Sequence, residues 1–188
     1  MDVKMKIRDI CFISVFTAVT AVCAQISIPM PAGAPFTLQT FAVPLAGIIL
    51  GTKKGTLSVV LYVLLGIAGV PVFSGFTGGI AVIFGKTGGY IISFPLMALC
   101  AGISSDLYYK IKNIWLKNII LAAGLVSGAA VNFIFGMLAG KIVLSCSFAQ
   151  AFSLFVAPYI PAAAVKIITA GTLGVTVKKI LIKNKFLS

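Results

Sequence analysis

The chain has 188 residues, of which 60% are hydrophobic and only 10% are charged. A soluble domain averages roughly 45–50% apolar and 25% charged residues, so this composition excludes an ordinary soluble domain and indicates an integral membrane protein in contact with membrane lipid. The net charge of +12 would suggest nucleic acid as the partner of a soluble protein. Here the basic residues flank the apolar segments, so we expect no nucleic-acid partner.

Six apolar segments follow one another along the chain and predict its fold. They span about residues 10–29, 37–50, 56–72, 88–104, 117–140 and 158–177, each near or somewhat below the roughly 20 residues of a membrane-spanning helix. The strands of an outer-membrane barrel would alternate apolar and polar residues, whereas these segments are continuously apolar. The sequence therefore predicts one all-α membrane domain, residues 1–188, with six transmembrane helices.

The basic residues lie unequally on the two sides of these helices. They precede the first segment and follow the second, fourth and sixth, in groups of three, two, three and four. Lys86 and Lys141 fall on the opposite side. Because cytoplasmic loops carry the excess of Lys and Arg, we predict a multi-pass protein of the cytoplasmic (inner) membrane with both termini cytoplasmic.

The first predicted helix carries small side chains spaced four residues apart. Thr17 pairs with Ala21, and Thr20 pairs with Ala24. Such pairs allow a second helix to approach closely. Internal packing and a partner interface are both consistent with this pattern.

Two long connections predict a pocket that opens outward. The first, "SIPMPAGAPFTLQTF", ends in the polar residues Thr37, Gln39 and Thr40. The second, "GVPVFSGFTGGIAVIFGKTGGY", combines phenylalanines and glycines around a short apolar insert. Lipid cannot satisfy the backbone of such loops, so they should be covered by protein or line a cavity. We expect them to form the lid and wall of the pocket.

Lys166 stands in the apolar stretch "YIPAAAVKIITAG", about two turns into the last helix. A lysine inside a membrane costs roughly 2.5–3.5 kcal/mol on insertion scales. No acidic residue is predicted in the outer half of the bundle to pair with it. Either the side chain extends to the outer interface, or a bound ligand supplies the missing partner through a carboxylate.

The sequence offers little for catalysis. It has no histidine, and its carboxylates, Asp2, Asp9 and Asp106, lie near the predicted cytoplasmic face. A nucleophile would lack a base, and the four cysteines lack metal-ligand spacing, so we expect neither an enzyme nor a metal site. "FGKTGG" resembles the end of a phosphate-binding loop, but Ile80 replaces its first glycine, and we expect no cofactor on this chain.

No acidic residue within the predicted helices could carry a coupled proton or sodium ion, and no ATP motif is present. The chain should therefore bind a solute and depend on another protein for the energy of transport.

The stretch "PFTLQTFAVPLAGIILGTKKGTLSVVLYVLLGIAGVPVFSGFTGGIAVIFGKTGGY" at residues 35–90, with the later "PYIPAAAVK", resembles the BioY family, the biotin-binding S components of energy-coupling factor transporters. The resemblance implies a six-helix bundle whose outward loops close over biotin. It also implies a membrane coupling protein and two cytoplasmic ATPases, which use ATP. The face of the first helix around Thr17, Ala21 and Ala24 is similar to the surface that docks on the coupling protein.

The resemblance also implies what the pocket residues do for biotin. The valerate carboxylate needs a cation or amide donors, the bicyclic ring needs apolar walls, and the ureido group needs donors and acceptors. The candidate ligand-binding residues are Phe36, Thr37, Gln39, Thr40, Phe73, Tyr90, Asn132 and Lys166. Packing remains an alternative role for the aromatic residues, as does an interhelical hydrogen bond for Asn132.

One position departs from the family. The last helix commonly begins with Pro-Gly-Asp-x-x-Lys, and Ala163 replaces the aspartate here. Lys166 should then depend more on the bound anion, and the ureido acceptor should come from Asn132, Gln39 or a carbonyl group. An S component for another carboxylated or heterocyclic vitamin, or for a biotin precursor, remains an alternative function. A membrane enzyme acting on a lipid or vitamin precursor is a third.

Overall fold

The computed structural model describes residues 6–30 and 34–186, so Asp2 and part of the first loop lie outside the described residues. Its helices are α1 (Ile7–Gln25), α2 (Gln39–Ile67), α3 (Ile80–Ile83), α4 (Gly88–Tyr108), α5 (Ile114–Leu144), α6 (Phe148–Phe155) and α7 (Ile160–Lys183), with a 3-10 turn at Ala157–Tyr159. Two short strands, β1 (Ser27–Ile28) and β2 (Phe36–Thr37), pair antiparallel in the first loop.

The structure confirms an all-helical protein with several apolar spans. Within the described residues, five segments are long and apolar enough to cross a membrane, namely α1, α2, α4, α5 and the stretch Phe148–Lys183. Several helix boundaries differ by a few residues from the approximate predicted bounds, and two of the differences have a clear local reason. α1 ends at Gln25 because the chain enters the strand pair there. α5 begins at Ile114 because the Asn113 side chain accepts hydrogen bonds from the backbone N–H groups of Trp115 and Leu116.

The predicted second and third helices form one element, α2, that reverses direction at Gly51. Gly51 has φ 79° and ψ 179°, a conformation that favours glycine. The side-chain nitrogen of Gln39 donates to the Tyr62 hydroxyl at 2.6 Å, although a straight helix would separate these residues by about 35 Å. A Cβ atom on Gly55 would lie 2.6 Å from the Cα atom of Gly47. The two halves of α2 therefore pack against each other as a hairpin.

Asp106, near the end of α4, holds the tip of this hairpin. Its carboxylate accepts hydrogen bonds from the backbone N–H of Thr52 at 2.9 Å and from the Thr52 hydroxyl at 2.7 Å. The buried Lys178 of α7 lies 3.2 Å from the same carboxylate and donates to the Ser105 hydroxyl. These contacts join α2, α4 and α7 at one end of the bundle.

Replacing Asp106 with alanine is expected to lower the stability of the bundle by about 1–3 kcal/mol, since it removes hydrogen bonds to a charged acceptor and leaves Lys178 without its counter-charge. The apparent Tm in detergent should fall. Lys179→Ala, at an exposed position beside Lys178, is the control. An unchanged Tm in Asp106→Ala would contradict the proposed contribution of this contact.

The start of α1 and the end of α7 lie at this same end, where the Arg8 guanidinium donates to the Lys185 carbonyl at 2.8 Å. Asp9 pairs with Lys54 at 2.7 Å nearby. The beginnings of α2, α4 and α7, together with both long loops, lie at the opposite end, which we call the loop end. These polar contacts and the two long loops thus lie at opposite ends of the bundle.

The core lies between α2, α4 and α5, where glycines permit close contact. Gly47 of α2 packs against Ala101, and Gly128 of α5 packs against the backbone of Met97. A buried cluster fills the space between them, composed of Val43, Ala46, Val59, Tyr62, Val63, Phe73, Ile91, Phe94, Met97, Ala98 and Ala129.

The small residues of α1 lie against the chain itself. Thr17 and Ala24 are buried, and the Thr17 hydroxyl donates to the Ser58 carbonyl of α2 at 2.8 Å. Ala21 is partly buried against the central cluster. Thr17 and Ala24 therefore belong to a face that packs within this chain, and contact of α1 with a partner stays a prediction.

Candidate functional site

A cavity of about 120 Å³ opens among the helices at the loop end. All eight side chains that the sequence singled out contribute to its lining, namely Phe36, Thr37, Gln39, Thr40, Phe73, Tyr90, Asn132 and Lys166. Apolar side chains of α4 and α7, including Ile91, Phe94, Met97 and Ile167, complete much of the wall. The two predicted loops thus meet α2, α4, α5 and α7 around one space.

Lys166 is held inside the bundle, since its exposed fraction is 8%. Its ammonium donates to the Thr37 carbonyl and, at 3.0 Å, to the Thr40 hydroxyl. It also lies 3.6 Å from the centre of the Phe36 ring, a favourable position for a cation. Among the described residues, no carboxylate forms a salt bridge with it. These contacts exclude the extended orientation toward the outer interface.

The ammonium of Lys166 remains only partly satisfied by these contacts. A lysine ammonium has three N–H donors, and two of them are accounted for by Thr37 and Thr40. Both acceptors are neutral, so the positive charge has no compensating negative group in the described part of the cavity. The arrangement favours an anionic ligand.

Thr37 and Gln39 connect the first loop to α2. The Thr37 hydroxyl donates to the side-chain oxygen of Gln39 at 2.9 Å, and the Gln39 side-chain nitrogen donates to the Tyr62 hydroxyl. Tyr62 in turn donates to the Val72 carbonyl at 3.1 Å, in the second loop. Tyr62 was missed by the sequence reasoning, although a tyrosine in an apolar span needs a polar partner for its hydroxyl.

Asn132 of α5 has an exposed fraction of 2% and bonds to α4. Its side-chain nitrogen donates to the Tyr90 carbonyl at 3.1 Å and to the Ser93 hydroxyl at 2.8 Å. Asn132 therefore forms the interhelical hydrogen bonds that the sequence left open as one of its roles. The side-chain oxygen of Asn132 accepts no hydrogen bond from the residues that the structure describes, so an acceptor is left at the cavity wall.

The aromatic residues of the cavity have packing partners as well. Tyr90 donates its hydroxyl to the Phe155 carbonyl, which ties α4 to the end of α6. Phe36 stacks on Tyr159 with ring centres 6.4 Å apart, and Tyr159 donates to the Ala34 carbonyl in the first loop. Tyr159 lines the cavity and was not among the predicted site residues.

Phe73 fills the space between the second loop and α2. It is fully buried, and its ring meets Tyr62 edge-on with centres 5.7 Å apart.

Ala163 lines the cavity one helical turn before Lys166. Lys86, in the second loop, is exposed and is not part of the lining.

These groups suit binding rather than bond breaking. Among the described residues, the cavity lining offers one ammonium, an amide oxygen, hydroxyl groups and apolar walls, and no base there is paired with a nucleophile. Within residues 6–30 and 34–186, no group of His, Cys, Asp and Glu side chains is arranged to hold a metal ion. Fold and cavity together define a multi-pass, helical membrane protein that binds a small solute.

The chain belongs to the BioY family, whose family model matches residues 1–183. Over 99 residues it is 50% identical to a protein of Pyrococcus horikoshii described as a probable biotin transporter BioY, a match that covers 53% of this chain and 60% of that one. Over 177 residues it is 35% identical to the biotin transporter BioY of Thermotoga maritima, covering 94% of this chain and 99% of that one.

A solved structure shares the fold. The crystal structure of the S-component for biotin from an ECF-type ABC transporter matches with a TM-score of 0.82, covering 95% of each chain at 23% sequence identity. At this identity the match establishes the arrangement of the helices. The assignment of the ligand and of individual contacts rests on the side chains of this chain.

Proposed function

We propose that this chain binds biotin and mediates its uptake as the S component of an energy-coupling factor transporter. The observation that carries the proposal is Lys166, a buried ammonium with no counter-charge among the described residues, in a mainly apolar cavity. Membership of the BioY family, whose relatives are described as biotin transporters, supports biotin as the solute.

The cavity accommodates the two polar ends of biotin by different groups. The valerate carboxylate meets the free N–H donor of Lys166, which supplies the charge that the protein lacks there. A ureido N–H donates to the side-chain oxygen of Asn132, the acceptor that remains after its bonds to α4. Phe36 and Phe73 cover the apolar ring system.

The topology follows from the charge distribution. We propose six membrane crossings, because the two halves of α2 form a hairpin around Gly51 and each crosses separately. Both termini lie on the cytoplasmic side of the inner membrane, since the lysine-rich hairpin tip, the start of α1 and the end of α7 share one end of the bundle. The cavity then opens outward.

Energy for transport comes from other subunits in this proposal. A membrane coupling protein and two cytoplasmic ATPases complete the transporter, and ATP is used by the ATPases rather than by this chain. The similarity of the fold to an S-component from an ECF-type ABC transporter supports this assignment. The buried state of Thr17 and Ala24 implies that a partner contacts α1 through other side chains.

A second function is favoured by Ala163. This residue lies in the cavity lining where the family commonly has an aspartate beside the lysine, so a different carboxylated vitamin or a biotin precursor is the alternative ligand. A membrane enzyme is not favoured, since the part of the cavity lining that the structure describes offers it no base.

Isothermal titration of the purified, ligand-stripped protein in detergent distinguishes these ligands. Biotin should bind with one site and a Kd in the nanomolar range, roughly −12 kcal/mol, and a second vitamin of similar size should not compete. Absence of heat with biotin, in a sample whose thermal unfolding remains cooperative, would overturn the proposal. Binding of desthiobiotin in preference to biotin would favour the precursor.

A further inference from the structure

Gln25, the last residue of α1, bonds to the second loop beside the cavity. Its side-chain nitrogen lies 3.1 Å from the Phe73 carbonyl and 3.3 Å from the Val72 carbonyl. Its side-chain oxygen accepts the backbone N–H of Phe76 at 2.9 Å. One amide therefore bonds to both sides of a single turn, residues 72–77.

This turn forms part of the cavity wall. Phe73, Ser74 and Thr77 all line the cavity, and the Phe73 N–H donates to the Thr77 carbonyl at 2.9 Å to close the turn. Phe76 has φ 55°, an unfavourable backbone conformation for a residue with a side chain. The bond from its N–H to Gln25 stabilises the turn in that conformation.

No residue of α1 lines the cavity, so α1 acts on the ligand only through other segments. The Val72 carbonyl accepts a hydrogen bond from Gln25 and another from the Tyr62 hydroxyl. Tyr62 in turn accepts from Gln39, the first residue of α2. The turn is thus hydrogen-bonded to Gln25 of α1 and, through Tyr62, to Gln39 in the cavity lining. Within the described part of the chain, only the bonds to Gln25 connect it to a helix that does not line the cavity.

We propose that Gln25 is a positioning residue that keeps the turn 72–77 closed over the cavity and thereby sets the rate at which ligand enters and leaves. The inference rests on the proposed solute-binding function and adds a gate to it. Gln25 does not line the cavity, so we expect its bonds to the turn to be the same with and without ligand, and their loss should lower the barrier to opening in both directions. Association and dissociation should accelerate together.

The test compares Gln25→Leu with the unaltered protein. Biotin association and dissociation are measured by rapid mixing with labelled biotin and by chase with unlabelled biotin. The dissociation rate should rise about tenfold, as expected for one lost hydrogen-bonded contact, and the association rate should rise in parallel, so that Kd changes by less than about threefold. A variant that was merely less well folded would bind a smaller fraction of ligand and would show no faster association.

Hydrogen exchange in the ligand-free protein provides a readout that does not depend on biotin. The Phe76 amide should exchange faster in Gln25→Leu, while amides of the α4 core should keep their protection. Asn118→Leu, which replaces an exposed amide side chain outside the cavity, is the control, and Gln25→Ala is the second variant. Unchanged exchange at Phe76, or unchanged rates in a protein that binds biotin, would overturn the proposal. Failure of the unaltered protein to bind biotin would instead count against the proposed function.

Discussion

Replacing Lys166 with methionine is expected to weaken biotin binding about 100-fold. Methionine has a similar length and fills the same space, but it removes the ammonium that faces the cavity. Truncating one partner of a buried charge pair costs about 2–5 kcal/mol, and about 2.7 kcal/mol corresponds to a 100-fold change in Kd. Titration calorimetry measures the difference. Lys179→Met, at an exposed position on the same helix, is the matched control and should bind like the unaltered protein.

A neutral ligand distinguishes the two ends of biotin. Biotin amide has no carboxylate, so it should bind the unaltered protein weakly and should lose little further affinity in Lys166→Met. The two changes are then strongly non-additive, as expected for groups in direct contact. If Lys166→Met weakened biotin and biotin amide equally, Lys166 would contact the ureido end, and the assignment of the carboxylate would be wrong.

The helices could be predicted from the sequence because lipid imposes a simple requirement. A membrane-spanning segment must be apolar over its length and satisfy its own backbone, so continuous apolar runs identify it. Helix ends depend on single side chains instead. Asn113 starts α5 earlier than its apolar run begins, and the Ser147 side chain caps α6, a short helix that the predicted segments did not contain.

The site was predicted to a large extent because polar residues in apolar segments are conspicuous. Thr37, Gln39, Asn132 and Lys166 all stand out in this way, and the structure brings them to one cavity. Whether they contact a ligand stays a prediction. Gln25 lies in the first apolar segment and is polar in the same way, but its role could not be predicted because its partners lie about 50 residues away along the chain.

The small residues of α1 illustrate a limit of pattern reasoning. Spacing by four residues identifies a face on which another helix packs closely, but it does not say whether that helix belongs to the same chain. The bond from Thr17 to the Ser58 carbonyl shows that this face of α1 packs against α2 of the same chain, and contact of α1 with a partner stays a prediction. Only the folded arrangement of α2 supplies that information.

Replacing Asn132 with leucine is expected to weaken biotin binding about 30-fold. Leucine is similar in size but removes the side-chain oxygen that accepts from the ureido group in the proposed complex. A donor left unpaired in a desolvated cavity costs about 1–3 kcal/mol, and about 2 kcal/mol corresponds to a 30-fold change in Kd. Titration with biotin measures the loss, and Asn118→Leu, exposed on the same helix, is the matched control.

Asn132 also joins α5 to α4, so its structural and ligand roles must be measured separately. Ser93→Ala removes one of the acceptors for the Asn132 side-chain nitrogen but keeps the side-chain oxygen at the cavity. This variant should lower the apparent Tm slightly and change the Kd for biotin by less than about threefold. An equal loss of affinity in Ser93→Ala and Asn132→Leu would show that Asn132 acts through the packing of α4 and α5. A large loss confined to Asn132→Leu is the result that a direct bond to the ligand requires.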